Sequence, residues 1–263
     1  MINYVMNLPI ALSGTVVIVF SIVGSLFGLW LTHRYLDLET LRKTHDVGGF
    51  IYAVITMAYA VILAFVVIVV WENFHDAEKV CQEESNAVGD MRRYSEVFPD
   101  SVRLPINSTT LDYMNGVVQK EWISMDSGKE NLEVRADLLK LWRIYKHFKP
   151  TDPQHVQYLE LSLGKMAEMN DKRRLRLLVS RSSLPTIMWV MLLGGSFLSI
   201  AFSFLFASPV RWVQMVMTAA LSGMFGLSLF LIFALDHPFS GDVRVQPEAF
   251  MYLIDRAAKD PPQ

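Results

Sequence analysis

"VGGFIYAVITMAYAVILAFVVIVVWENFHDAEKVCQEESNAVGDMRRYSEVFPD" occupies residues 47–100. It carries no charged residue up to Trp71. That part alone is long enough for a bilayer-spanning helix, which needs about 20 apolar residues. Acids and bases appear after Trp71, but the pattern does not stop. Apolar residues recur at Phe74, Ala77, Cys81, Val88, Met91 and Phe98, the spacing of one helix face. No proline or turn cluster interrupts the chain before Pro99-Asp100. The stretch therefore predicts one helix from Phe50 to about Val97, about 70 Å long at 1.5 Å per residue.

Working outward, the same test finds three more uncharged stretches in the 263-residue chain: residues 1–32, 182–210 and 212–235. Together they predict membrane spans over 10–31, 50–71, 184–206 and 212–235. The first does not fit a cleaved signal peptide. No Lys or Arg precedes it, its apolar part exceeds the usual length of about 7–15 residues, and no A-x-A-like cleavage site follows. Arg34, Arg42, Lys43 and Arg211 flank the spans on one side. Lys79, Lys165, Lys172, Arg173, Arg174, Arg176, Arg181, Arg244 and Arg256 lie on the other. The richer side is the cytoplasmic one. The segment between spans two and three and both termini are thus expected in the cytoplasm of an inner-membrane, multi-pass protein.

That segment reads as helices. Asn107 or Ser108 is positioned to cap one that carries Leu111, Met114, Val118, Trp122 and Met125, ended by Ser127-Gly128. A second carries Leu132, Leu139, Trp142, Tyr145 and Phe148. Asp152-Pro153 opens a third, with proline at its first position. Ser183 is expected to cap the third span. Asp242–Val245 alternates like a short strand, and a short amphipathic helix over 247–258 closes the chain. The fold class is an all-α membrane protein with four transmembrane helices and a cytosolic helical domain inserted between the second and third. The divisions fall at 1–71, 72–183, 184–235 and 236–263. Gly24-x-x-x-Gly28, Ala219-x-x-x-Gly223 and Ser222-x-x-x-Gly226 allow close helix approach, within one chain or between copies.

Chemistry is sparse. A net charge of −2 implies no polyelectrolyte partner, and nucleic acid is not expected. The single cysteine, Cys81, rules out a disulfide framework. No metalloprotease, phosphate-loop, nucleophile-elbow or dinucleotide motif occurs, so no enzyme is expected. The spans hold no ionisable residue, which argues against a proton pump or coupled transporter but not against a channel. Glu72 and Asp76, one helical turn apart, read either as a solvated helix start or as a carboxylate ring around an ion path. Lys172, Arg173, Arg174 and Arg176 read as a basic membrane anchor or a lipid-headgroup site. After the fourth span, "LDHPFSGD" places Asp236, Pro238, Phe239 and Asp242 around a chain reversal. The first reading is a structural clasp, with Phe239 packed against the cytoplasmic end of the second-span helix near Phe74 or His75 and Asp236 anchoring the turn. The second is a cation site, in which the two carboxylates supply part of the about 6–8 oxygens calcium takes. No cofactor follows with certainty.

"GGFIYAVITMAYAVILAFVVIVVWENFHDAE", the Glu121-Trp122 pair, "KRRLRLL" before the third span and "LDHPFSG" resemble, in this order, the bestrophin-like family, a mostly bacterial group. More distantly they resemble bestrophins. That resemblance implies a pentameric ion channel with four spans, a large cytosolic helical segment after the second and both termini inside. It also implies that the second span lines the pore, with apolar side chains at its neck. Ile62, Phe65 and Val69, at helical spacing, are the candidate constriction. In animal bestrophins the segment after the fourth span helps hold calcium, but this chain lacks their string of acids. The expected partners are membrane lipid, inorganic ions and further copies of the chain. Two rivals stand beside the channel: a non-conducting scaffold or sensor whose cytosolic helices dock a partner, and a subunit of an ion-driven stator.

Overall fold

The structure is a computed structural model that describes residues 10–35, 45–206 and 210–259. Arg42 and Lys43 of the orientation argument lie outside the described residues. The described chain is helical and contains no strand. In order it forms α1 (Ile10–Tyr35), α2 (His45–Ser95), α3 (Asp100–Gly116), a π-helical turn (Val117–Glu121) and α4 (Trp122–Met125). Then follow α5 (Leu132–His147), α6 (Pro153–Val179), α7 (Thr186–Ser203), α8 (Arg211–Leu235) and α9 (Glu248–Lys259). Four of them, α1, α2, α7 and α8, are long and apolar enough to cross a membrane. The chain divides into two compact units. One holds residues up to Asn73 with Ser183–Asp236 and Gly241–Val243. The other holds Phe74–Ser182, His237–Ser240 and the residues from Arg244 on.

Helix α2 is continuous for 51 residues. A proline in its interior should remove a backbone hydrogen bond and clash with the preceding turn, at a cost of about 3 kcal/mol or more. Glu78→Pro, at an exposed position paired with His75, is therefore expected to lower the thermal unfolding midpoint strongly. An unchanged midpoint would mean that α2 is already broken there.

Several local expectations are corrected. Asn107 and Ser108 cap nothing. The Asn107 side chain accepts from Ser95 Oγ at 3.4 Å, and its carbonyl accepts from Arg92 at 3.0 Å. The helix begins earlier instead, at Asp100, whose carboxylate suits the positive end of the helix. Ser183 lies three residues before α7, which starts after Pro185. The alternating residues 242–245 form no strand. Asp152 does cap α6, accepting from His155 N at 2.8 Å, with Pro153 at the first position.

In the apolar unit, small residues bring helices together within the chain. Ser21 Oγ donates to Ser222 O at 2.9 Å, and Ser25 and Ser222 hydroxyls meet at 2.8 Å. A Cβ on Gly226 would lie 3.0 Å from Ser21 Cβ, and one on Gly28 only 2.7 Å from the Phe204 ring. Gly24, by contrast, faces open space. Tyr59 of α2 lies so close to Gly195 of α7 that a Cβ there would come within 2.3 Å of its ring. Its hydroxyl donates to Leu192 O at 2.7 Å.

Candidate functional site

In the second unit the apolar stripes of α2, α3 and α6 meet in one core, and charged residues sit inside it. Glu84 lies on the stripe Ala77, Cys81, Val88, Met91 of α2. Arg173 and Arg176 continue the stripe Met166, Met169 of α6. The π-helical turn inserts an extra residue just before α4, and both Glu121 and Trp122 are buried. Arg176 is fully buried and donates to Glu84 Oε2 at 2.7 Å and to Glu121 Oε2 at 2.8 Å. Arg173 Nε donates to the same Glu121 oxygen at 3.1 Å. Tyr113 donates its hydroxyl to Glu84 Oε1 at 2.6 Å, and Asn131 N donates to Glu121 Oε1 at 3.2 Å.

Two buried arginines thus face two buried glutamates, with the less buried Glu130 4.0 Å from Arg173. Burial alone would push the Glu121 carboxyl up, but Arg176 and Arg173 together hold it below the usual carboxylate range. Burial likewise works against the Arg176 guanidinium, and Glu84 and Glu121 overcome it, so that group stays charged. Tyr113 stays protonated, chiefly through burial and then through the Glu84 charge. Burial pushes the Cys81 thiol up to about 12, leaving it unreactive at neutral pH.

Trp122 organises the other side of this core. The Arg176 guanidinium lies 5.3 Å from its ring centroid. Phe239 and Phe250 meet the ring edge-on at 5.7 and 6.2 Å. Its Nε1–H donates to Val245 O at 3.1 Å, and Val245 N in turn donates to Pro238 O at 2.8 Å. The reversal uses Gly241 at φ 78°, a left-handed conformation that favours glycine. Phe239 was expected against Phe74 or His75 at the end of the second span. Its ring partner is Trp122; Phe74 only borders the same cluster, and His75 is exposed.

The two acids of the reversal do not form an ion cage. Asp236 Oδ1 accepts from Leu184 N at 2.7 Å, and Asp242 Oδ2 accepts from Ile10 N, the first residue of α1, at 2.7 Å. Among the described residues no three His, Cys, Asp or Glu side chains converge as metal ligands. The described residues do not fit a calcium site. Asp236→Asn, which keeps an acceptor oxygen, is expected to cost little in a denaturation experiment. Asp236→Ala, which leaves the buried Leu184 N–H without this acceptor, should cost about 1–3 kcal/mol. Equal effects would mean the acceptor is unimportant.

The basic run is also redistributed. Arg173 and Arg176 cannot face a headgroup, because they are buried against Glu121 and Glu84. Lys172 pairs with Glu83 at 2.6 Å, and of these four basic residues Arg174, paired with Asp171, is the exposed one. On α2, Ile62, Phe65, Val69, Glu72 and Asp76 follow one another at steps of three and four and share one stripe. Phe65 is 64% and Val69 41% exposed, Glu72 and Asp76 are exposed, and Ile62 is half-buried. The neighbouring face, Tyr59, Val66 and Val70, is at most 5% exposed.

Four apolar helices of bilayer-spanning length and a second, helical unit with an ionic core mark an all-α membrane protein. The bestrophin-like domain profile matches residues 19–250, and the chain belongs to the bestrophin-like family. Three solved structures share the fold. One is a single-substitution variant of a bacterial bestrophin homologue from Klebsiella pneumoniae, 12% identical, with TM-score 0.68 over 94% of this chain and 99% of that one. A second variant of that protein is 13% identical, with TM-score 0.65 over 92% and 96%. A structure described as a membrane protein gives 13% and 0.62 over the same shares. No curated protein matches the chain.

Proposed function

We propose that the chain assembles with copies of itself, five by analogy with bestrophins, into an ion-permeation channel of the inner membrane. Helix α2 lines the path. The observation that carries this reading is the α2 stripe. Apolar Ile62, Phe65 and Val69 and acidic Glu72 and Asp76 occupy one line, and Phe65, Val69 and both acids are uncovered in the single chain. An apolar constriction gates by dewetting, and a carboxylate ring beside it selects by charge. The family and the shared fold support the same arrangement. The distribution of Lys and Arg supports a cytoplasmic placement of the helices between the second and third spans and of both termini.

Planar-bilayer recording of the purified oligomer tests this. Phe65→Ala is expected to raise unitary conductance by widening the neck. The double variant Glu72→Gln, Asp76→Asn is expected to move the reversal potential in a salt gradient toward anions. A monomer by mass measurement, or a silent bilayer with correctly assembled protein, overturns the channel and favours a scaffold.

A further inference from the structure

The last turns of α1 and the first turn of α8 enclose a cleft of about 360 Å³, within the range of small-ligand sites, about 300–1,000 Å³. Its walls divide by chemistry. Leu26, Leu29 and Met215 are apolar, whereas His33, Arg34 and Arg211 are basic. Trp30, 59% exposed, stands beside them, as tryptophans do where membranes meet water.

Three observations set these basic residues apart. Neither Arg34 nor Arg211 has a carboxylate partner among the described residues, whereas Arg173 and Arg176 of the second unit are tightly paired. Arg211 is the first residue of α8, where the positive end of a helix disfavours a cation. Its placement therefore does not serve its own helix. His33 Nε2 is shielded from solvent and makes no hydrogen bond among the described residues, although shielded polar atoms ordinarily have partners.

We infer that this cleft binds an anionic phospholipid, its phosphate between Arg34 and Arg211 with His33 Nε2 at hand and the start of an acyl chain along Leu26, Leu29 and Met215. Arginine recognises phosphate through paired, charge-assisted hydrogen bonds. The apolar wall gives a lipid contacts that a free phosphate cannot make. The inference does not depend on conduction.

Native mass spectrometry of the detergent-solubilised protein tests it with three probes: phosphatidylglycerol, phosphatidylcholine and water-soluble glycerol phosphate. Wild type is expected to retain phosphatidylglycerol in preference to the other two. Arg34→Gln with Arg211→Gln should lower that retention about tenfold or more, and Arg34→Lys with Arg211→Lys should restore part of it. Equal retention of the two lipids by wild type overturns the proposal without any variant. So does glycerol phosphate bound as well as the lipid, or undiminished retention by a glutamine variant whose helical content is unchanged.

Discussion

Arg176→Ala is expected to lose about 3–5 kcal/mol, the cost of leaving buried carboxylates without their cation. Glu84 and Glu121 are both fully buried, and Arg176 is the guanidinium they share. A domain's whole stability is about 5–15 kcal/mol, so the variant should unfold at markedly lower denaturant. Arg174→Ala, two residues away at an exposed pair with Asp171, should change stability by no more than about 0.5 kcal/mol. Adding Glu84→Gln to Arg176→Ala should recover part of the loss by removing one stranded charge. The pH dependence has a definite sign. The folded Glu121 carboxyl lies below its ordinary value, so its contribution is present above the unfolded pKa of about 4.3 and is lost as pH falls through the folded one. Stability should hold from neutrality down to that region and drop below it. If Arg176→Ala and Arg174→Ala denature alike, the ionic core does not hold the unit together.

Trp122→Ala should cost a similar amount, about 3–5 kcal/mol for a large buried ring. It removes the ring that meets Phe239, Phe250 and Arg176, and it leaves the buried Val245 carbonyl without its donor. The segment from His237 onward should then become the first site of limited proteolysis. Trp122→Phe keeps a ring but loses the N–H, so its cost should be nearer about 1–3 kcal/mol. Protection of the C-terminal segment in Trp122→Ala equal to that in wild type would remove Trp122 from the centre of the packing.

The stripe on α2 and the reversal after α8 were visible in the sequence as residues, because spacing and breakers are local properties. Their partners were not. The expected place for Phe239 is beside Phe74 or His75 at the end of the second span, yet its ring meets Trp122, which the π-helical turn leaves buried together with Glu121. Small-residue spacing could not say whether Gly28, Gly223 and Gly226 serve one chain or two. The positions of Phe204, Ile22 and Ser21 show that they pack within the chain.

The sequence by itself determined much of the helical layout: the unbroken α2, the four apolar lengths, the Asp152-Pro153 start and the Gly128 stop. Periodicity, proline and glycine act within a few residues and need no partner. Only the tertiary structure decided the fate of the charges. Glu84, Arg173 and Arg176 each fall on an apolar stripe of their own helix, which was a legible sign that they are not solvated. Glu84 and Arg176, however, are 92 positions apart, and Glu121 and Arg173 are 52. A charge inside an apolar stripe is stable only beside its opposite. Which opposite arrives is settled by how distant helices pack, and no local pattern encodes that.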